Sequence, residues 1–353
     1  LVDNPDAEYK GSDLRTVRWF TPHNIRRDCW TDIARHFSTV QGVFYARTYV
    51  HSPTTQSVQM RIGTSGAFRL FLNQQMILDT IEERNNDVDT YIAEVTLQAG
   101  WNQITVKLCN SKLDRCNFLL RITDKSGTAI SDLEYSTAPQ QFPTSTTLVK
   151  PLDHPFLAFF RSQIAKFPNR PENYLLLANA LLRNDEVDEA EEIISKLLSK
   201  YPNFIGALML ALEPNQRANR YDESITTIEH ITNTRPDLPI SLVYSFNRAV
   251  STKQLDTADA ILNNIGKTLP ESNDYYEAAI ELARLRNDVA LVSTLQAKAF
   301  ETNPQILDFA SAAAMLALRT GGGYAKAIDI IKAHLSYNWN EGGLLMKAAL
   351  CED

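Results

Sequence analysis

Hydrophobic positions in the second half of the chain recur with a helical period, and prolines interrupt them at a constant interval. Pro168, Pro202, Pro236, Pro270 and Pro304 each lie 34 residues after the last. Between these prolines, apolar residues recur every three or four positions in two runs, which predicts two amphipathic helices per interval. Proline lacks the backbone N–H that a helix interior needs, so each proline predicts the end of a second helix. A fixed period of this length predicts stacked helical repeats, an α-solenoid.

The clearest repeat is 171–204, where Ala178 and Ala190 are the small residues on the apolar faces of the two helices. Short side chains at these places allow two helices to cross closely. With the apolar positions around them, they resemble the tetratricopeptide repeat. Tyr174 and Leu181 depart from it, since they stand where that family usually has Trp and Tyr. The resemblance continues with less fidelity through about five repeats.

Two of the later repeats depart from the pattern. Pro214 falls within a first helix, which we expect it to shorten or bend. The last repeat, near 307–335, has an Ala-rich first helix followed by GGGYAKAIDII, and its pattern predicts a shift of one residue. Upstream, 156–169 has the pattern of a lone second helix that covers the first full repeat.

The first part of the chain has the alternating pattern of β-strands. Seven to eight short strands separated by turn residues follow residue 43, which predicts a β-sandwich or jelly roll. The segments GTSGAFRLFLNQQMILDT (63–80) and LQAGWNQITVKLC (97–109) resemble the galactose-binding-like or protective-antigen-type sandwich. Gln74 departs from that resemblance, because glycine usually follows the asparagine there. The resemblance implies a module that precedes tetratricopeptide repeats in large secreted bacterial proteins, which often carry a transglutaminase-like domain as well.

These patterns predict a multidomain β plus α protein. We expect an antiparallel, jelly-roll-like sandwich over 1–135 and a Ser, Thr and Pro-rich linker over 136–152. The all-α tetratricopeptide-type solenoid then occupies 153–353.

Composition narrows the class of partner. The net charge is −7, and basic and acidic residues balance within 1–150, so the excess acid lies in the helical part. No basic footprint for nucleic acid is present, and no apolar run is long enough for a membrane span. The chain begins without Met or a signal peptide, and we expect a mature or excised part of an exported protein, periplasmic or extracellular.

Candidate chemistry is sparse. No histidine has metal-ligand spacing, the glycines of 320–326 fall at a predicted helix–helix turn, and Asp87 and Asp89 are predicted to lie in a solvated loop. We therefore predict no catalytic residue, metal or cofactor in this chain, and no enzyme. Cys109 and Cys116 flank a predicted hairpin, so a disulfide is one expectation and two reduced thiols the other.

Binding residues follow mainly from the resemblance, which implies that positions 2, 5, 9, 12 and 13 of each repeat point into a concave face. Position 9 is Asn179 in one repeat and Asn247 two repeats on, and an amide there can pair with a peptide backbone. Arg183 and Arg217 at position 13 could hold an acidic group. Glu277 and Glu281 make the far end of the groove acidic.

Three functional hypotheses remain. The first is a non-catalytic interaction module of an exported bacterial cell-envelope protein that binds a protein or peptide on the concave solenoid face. The second is carbohydrate binding by the sandwich, with Trp30 as the candidate for stacking on sugar rings. The third is an accessory region of a transglutaminase-like enzyme whose catalytic domain lies elsewhere.

Overall fold

The fold is described from a computed structural model of the chain. The structure describes residues 7–11, 16–22, 29–33, 36–37, 41–144, 146–337 and 341–352. The chain divides into two compact units, an N-terminal unit (Leu1–Pro202) and a C-terminal unit (Asn203–Asp353).

Two five-stranded antiparallel sheets form the β-sandwich of the N-terminal unit. One sheet has the strand order β12-β8-β5-β10-β3 and the other β11-β4-β9-β6-β7, and β1 and β2 form a separate two-stranded pair. The strands are β1 Tyr9–Lys10, β2 Thr16–Val17, β3 Thr31–Asp32, β4 Gly42–Ser52, β5 Gln56–Thr64, β6 Ala67–Leu72, β7 Gln75–Thr80, β8 Tyr91–Leu97, β9 Gly100–Asn110, β10 Asn117–Thr123, β11 Glu134–Ser136 and β12 Lys150–Leu152.

The sandwich core forms where alternate side chains of the two sheets face each other. Met60 and Ile62 on β5 are buried in one cluster with Val106 and Leu108 on β9. Successive side chains of a strand point to opposite faces, so this spacing places one face of each strand in the core. The predicted antiparallel sandwich is therefore confirmed.

The β6–β7 hairpin turns on two residues with left-handed backbone. Asn73 has φ 48° and Gln74 has φ 69°. A two-residue turn with both central residues at positive φ matches the twist of its strands and favours Asn followed by Gly. Gln74 thus occupies a glycine-type position, and the turn stays as tight as glycine would make it.

The predicted linker is tied to the sandwich. Thr147 donates its N–H to the Gln75 side chain over 2.6 Å, and its hydroxyl accepts the Thr96 N–H over 2.8 Å. The chain then forms β12, which pairs with β8. Strands give way to helices after β12. The boundary between the two compact units lies later in the chain, at Pro202.

Three helices complete the N-terminal unit and nine lie in the C-terminal unit, within the part of the chain described. The former are α1 Pro155–Lys166, α2 Pro171–Arg183 and α3 Val187–Lys200. The latter are α4 Ile205–Arg217, α5 Tyr221–Thr234, α6 Pro239–Ser251, α7 Leu255–Thr268, α8 Asn273–Leu285, α9 Val289–Thr302, α10 Leu307–Arg319, α11 Gly323–Tyr337 and α12 Glu341–Glu352. The predicted array of tetratricopeptide-type helices is confirmed.

The helix starts keep the 34-residue period throughout the array. First helices begin at Pro171, Ile205, Pro239, Asn273 and Leu307. Each second helix begins 16 residues after the first residue of the helix before it. The buried face of α11 is nevertheless displaced, because Ala327 and Ile331 each lie one residue beyond the positions that the buried Ala190 and Ile194 of α3 predict. The expected one-residue shift of the last repeat is therefore confirmed for its second helix, whereas α10 stays in register.

Pro214 does not shorten its helix. It is buried inside α4, which has 13 residues, the same length as α2, α6, α8 and α10. Among the described residues, no helix combines the length and the apolar character needed to cross a membrane.

Candidate functional site

A cavity of roughly 580 Å³ lies on the C-terminal unit, between the first helices of three successive repeats. Its walls come from α6, α8 and α10, with one residue from α9. The lining residues are Val243, Phe246, Asn247, Asp274, Glu277, Ala278, Ile280, Glu281, Arg284, Gln296, Asp308, Phe309 and Ala312.

The same repeat positions recur around this cavity. Counting each first helix from its first residue, Asp274 and Asp308 stand at position 2, Val243 and Glu277 at position 5, and Asn247 and Glu281 at position 9. Positions three and four apart lie on one face of a helix, so these side chains form one surface. We call this surface the α6–α10 groove.

The floor of the α6–α10 groove is apolar and its rim is polar. Phe246 is 2% exposed and Phe309 is 4% exposed, with the small residue Ala278 buried between the helices. Asn247 and Glu277 on the rim are exposed. A concave surface with a buried apolar floor and a few polar groups is the usual form of a ligand site.

Negative charge dominates the rim. Four carboxylates line the groove, from Asp274, Glu277, Glu281 and Asp308, against the single guanidinium of Arg284. Arg284 lies 3.8 Å from the carboxylate of Glu281, a separation at which an exposed pair contributes little. Within the described residues, the other three carboxylates have no basic partner.

Gln296 differs from the equivalent residues of the other second helices, such as Ile194 and Leu262, which are apolar. It stands in α9 at a repeat position where an apolar residue is expected, and in the structure it lines the cavity. A polar residue that interrupts an otherwise apolar repeat position is therefore a marker of this surface.

Of the four predicted groove residues, Asn247 alone lines this cavity. Arg217 forms an ion pair with Glu213 one turn earlier in α4. Asn179 is exposed on α2 in the N-terminal unit. Arg183, at the end of α2, donates from Nε to Asp87 over 2.5 Å.

A second polar constellation joins the sandwich to the first repeat within the N-terminal unit. We call it the 84–90 junction, because that loop contacts the turn between α2 and α3. The Asn184 side chain accepts from the Thr90 hydroxyl over 2.6 Å and from the Asp87 N–H over 3.2 Å. Asp185 accepts the Asn85 N–H over 2.6 Å, and Arg84 pairs with Glu186.

The prediction that Asp87 and Asp89 lie in a solvated loop is wrong, because both carboxylates form ion pairs at the 84–90 junction. Asp87 pairs with Arg183, and Asp89, 7% exposed, lies between Arg61 and Arg121. Buried carboxylates need such partners, since an unpaired buried charge is costly. Asp89 is thus part of the core of the junction, and no cluster of three potential metal ligands occurs among the described residues.

Trp30 is half-buried, against the sandwich. A Cβ built on Gly63 of β5 would lie 3.1 Å from its Cη2 atom and would overlap the backbone carbonyl of Asp87. Glycine at 63 therefore permits the close approach of both the indole ring and the 84–90 loop. The ring packs against the sheet, so its geometry does not favour an open stacking platform.

All four cysteines are described, and all four are free thiols. Cys116 is fully buried in the sandwich core, where burial and Asp32 raise the pKa of its thiol to about 12. Cys109 is adjacent to the core residue Leu108 on β9 and so points to the other face of that strand. This arrangement favours the expectation of two reduced thiols. A disulfide between Cys109 and Cys116 stays a prediction.

Comparison with known proteins identifies the helical repeats. Residues 157–212 match the tetratricopeptide repeat family. A tetratricopeptide repeat protein from Parabacteroides merdae is similar at 14% identity, with a TM-score of 0.40 over 55% of this chain and 77% of that chain. No curated protein gives a significant match.

Two further solved structures show comparable similarity. PilF of Pseudomonas aeruginosa has 15% identity and a TM-score of 0.40 over 52% of this chain and 83% of that chain. YrrB, described as having an unusual peptide-binding site, has 15% identity and a TM-score of 0.36 over 54% of this chain and 97% of that chain. The support for a tetratricopeptide-type helical array after the sandwich is the family match over 157–212 together with the helix pairs at a 34-residue period.

Proposed function

We propose that the α6–α10 groove binds an extended peptide segment of a partner protein. The observation that carries this proposal is the cavity of roughly 580 Å³ that three successive first helices line with the same repeat positions. Because the repeats stack side by side, a segment that crosses them meets equivalent positions at regular intervals.

The residues of the groove suit an extended backbone. The exposed Asn247 amide offers a donor and an acceptor together, as a peptide unit requires, and Gln296 offers a second amide. The half-buried Val243 and Ala312 provide apolar area for alternate side chains of such a segment, over the buried rings of Phe246 and Phe309. The tetratricopeptide scaffold thus acts as an interaction surface, and we assign it no reaction.

The test is a binding screen of the full chain on an array of short, blocked peptides of random sequence. Asn247→Trp fills the groove from an exposed position and is expected to abolish array binding. Asn179→Trp makes the same change at the same repeat position in α2 and is the matched control, expected to bind like the parent chain.

Unchanged far-ultraviolet circular dichroism and melting temperature establish that both variants fold. Binding that survives Asn247→Trp, or that is lost in Asn179→Trp alone, contradicts the assignment to the α6–α10 groove. A parent chain that binds no peptide on the array contradicts the proposed function itself.

We also propose that the protein works outside the cytoplasm, in a bacterial cell envelope. Support comes from the two sandwich segments that resemble modules of secreted proteins. Fractionation of the source cells, with protease added to intact cells and to spheroplasts, tests this. Recovery of protease-protected chain in the cytoplasmic fraction contradicts it.

A further inference from the structure

The charges of the α6–α10 groove indicate what kind of segment it takes, if the proposed function holds. Asp274 and Asp308 occupy equivalent places in the first turns of α8 and α10, so the groove has an acidic residue at each of two successive crossings. Glu277, three residues after Asp274 on α8, lines the same groove. The result is a row of carboxylates that spans two repeats rather than a single charged spot.

The protein itself does not neutralise this row. Glu277 and Glu281 are four residues apart on α8, and like charges at that spacing destabilise a helix by a few tenths of a kcal/mol. Elsewhere on the C-terminal unit, Arg286 pairs with Asp259 and Lys298 with Glu271. These two cations pair with carboxylates outside the groove and so leave its charge unchanged.

The shape of the groove suits long basic side chains. Lysine and arginine bury an aliphatic stem on apolar surface while the charged head remains at a polar rim. The half-buried Val243 and Ala312 line the same groove as the carboxylates, so an aliphatic stem and a charged head each meet a matching surface. A concave wall of one sign also concentrates the field and raises the local concentration of oppositely charged ligand.

We infer that the groove selects a basic segment, an extended peptide whose Lys or Arg residues are spaced to meet Asp274, Glu277 and Asp308. An acidic tail is disfavoured by the same charges, because like-charge contacts across an interface are costly. Position 5 supports this direction: it is Val243 in one repeat and Glu277 in the next, so it offers no cation for a carboxylate.

The experiment scores the peptides that bind the full chain on the random array for their Lys and Arg content. It then measures the strongest binder in solution by fluorescence anisotropy, beside a copy with every Lys and Arg changed to Gln. We expect the Gln copy to bind about tenfold more weakly, from two or three rim ion pairs. The difference should largely vanish in about 0.5 M sodium chloride, since salt screens exposed charges.

A charge-neutral variant ties this preference to the groove. The change Asp274→Asn, Glu277→Gln and Asp308→Asn together is expected to remove the preference for the basic peptide. The control Asp256→Asn with Glu301→Gln removes exposed carboxylates from α7 and α9 and is expected to keep it.

The outcomes separate this inference from the proposed function. Neutral or acidic binders that Asn247→Trp abolishes would overturn the basic preference and leave peptide binding in place. Basic binders that keep their preference in the charge-neutral variant would also overturn it, because the selectivity would lie elsewhere. Failure of the parent chain to bind any peptide overturns both.

Discussion

Five turns inside the repeats each need one residue with left-handed backbone. Asp185, Asn219, Lys253, Asn287 and Gly321 have φ between 55° and 81° and follow one another at 34-residue intervals. Only glycine adopts this region without cost, and Asn and Asp tolerate it better than other residues. Lys253 is thus the one poorly suited residue in this series.

Replacing Lys253 with glycine is expected to stabilise the chain by about 1 kcal/mol. The left-handed conformation costs a side-chain-bearing residue about 1–2 kcal/mol, and the greater freedom of glycine in the unfolded chain offsets part of the gain. Chemical denaturation of the parent chain and the variant measures this change in the free energy of unfolding. Asn287→Gly, at the equivalent exposed turn, is the control and is expected to change stability by only a few tenths of a kcal/mol. A neutral or destabilising Lys253→Gly would contradict the account.

His154 links the stability of the N-terminal unit to pH. It caps α1 by accepting the Leu157 N–H at Nδ1. Burial lowers the pKa of His154 below its ordinary value, and the attraction of Asp87 and Asp89 offsets this only in part. The unfolded chain therefore binds the proton more readily, so stability is complete above about pH 6.5 and falls as the pH decreases through that value.

The variant His154→Asn is expected to remove this dependence, because asparagine also caps helices and does not titrate. Melting temperatures of the parent and the variant, measured from about pH 7.5 to about pH 5, are expected to diverge as acid is added, the parent falling further. The carboxylates and other histidines titrate alike in both proteins and cancel in the comparison. Parallel curves would show that the histidine contributes no pH dependence.

The helices and the groove positions could be predicted from sequence because their information is periodic. Proline spacing fixed the repeat length, and the resemblance placed Asn247, Glu277 and Glu281 on one surface, where the structure has them. The 84–90 junction could not be predicted. Its contacts join residues about 100 positions apart, such as Asn85 and Asp185, and no periodic pattern relates a sandwich loop to a helical turn.

Arg183 illustrates the same limit at the level of one residue. Its repeat position predicts a groove residue, and its charge suits an acidic ligand. In the structure the acidic partner is Asp87 of the chain's own sandwich. Repeat position therefore predicted the location of a side chain on its helix, whereas the partner depended on the neighbouring domain.

Asn184 is expected to be the most sensitive residue of the 84–90 junction. It is 2% exposed, and Asn184→Ala leaves the Asp87 N–H without its acceptor and the Thr90 hydroxyl with the Asp87 carbonyl alone. Loss of a buried partner of this kind costs about 1–3 kcal/mol. Thermal unfolding of the full chain measures the effect.

The chain supplies a natural control for that substitution. Ala218 stands at the equivalent position of the next repeat, immediately after α4, so alanine is compatible with this helix end. Asn184 also donates from Nδ2 to the Ala180 carbonyl of α2 over 2.8 Å, so the loss in Asn184→Ala combines this helix-end bond with the contacts to the sandwich. A change below a few tenths of a kcal/mol would contradict the role given to the junction.

In the whole molecule, the boundary between the two compact units does not coincide with the change from strands to helices. The first three helices have the repeat pattern of the solenoid, yet they belong to the same compact unit as the sandwich. The polar contacts of Asn184, Asp185 and Glu186 with loop 84–90 account for this, because they attach α2 and α3 to the sandwich through buried or half-buried groups. The sandwich thus covers the start of the helical array.

This organisation predicts how a fragment without the sandwich behaves. In residues 153–353, the α2–α3 turn keeps its own helical hydrogen bonds but loses every partner in loop 84–90. Local opening of α2 and α3 then costs less free energy, so their amides are expected to exchange about tenfold faster than in the full chain. The helices α8 and α9 make none of these contacts and serve as the internal reference, with equal exchange in both proteins. Hydrogen exchange followed by mass spectrometry measures both regions in one experiment. Equal protection of α2 and α3 in the two proteins would mean that the repeats hold these helices unaided, and that the sandwich does not stabilise them.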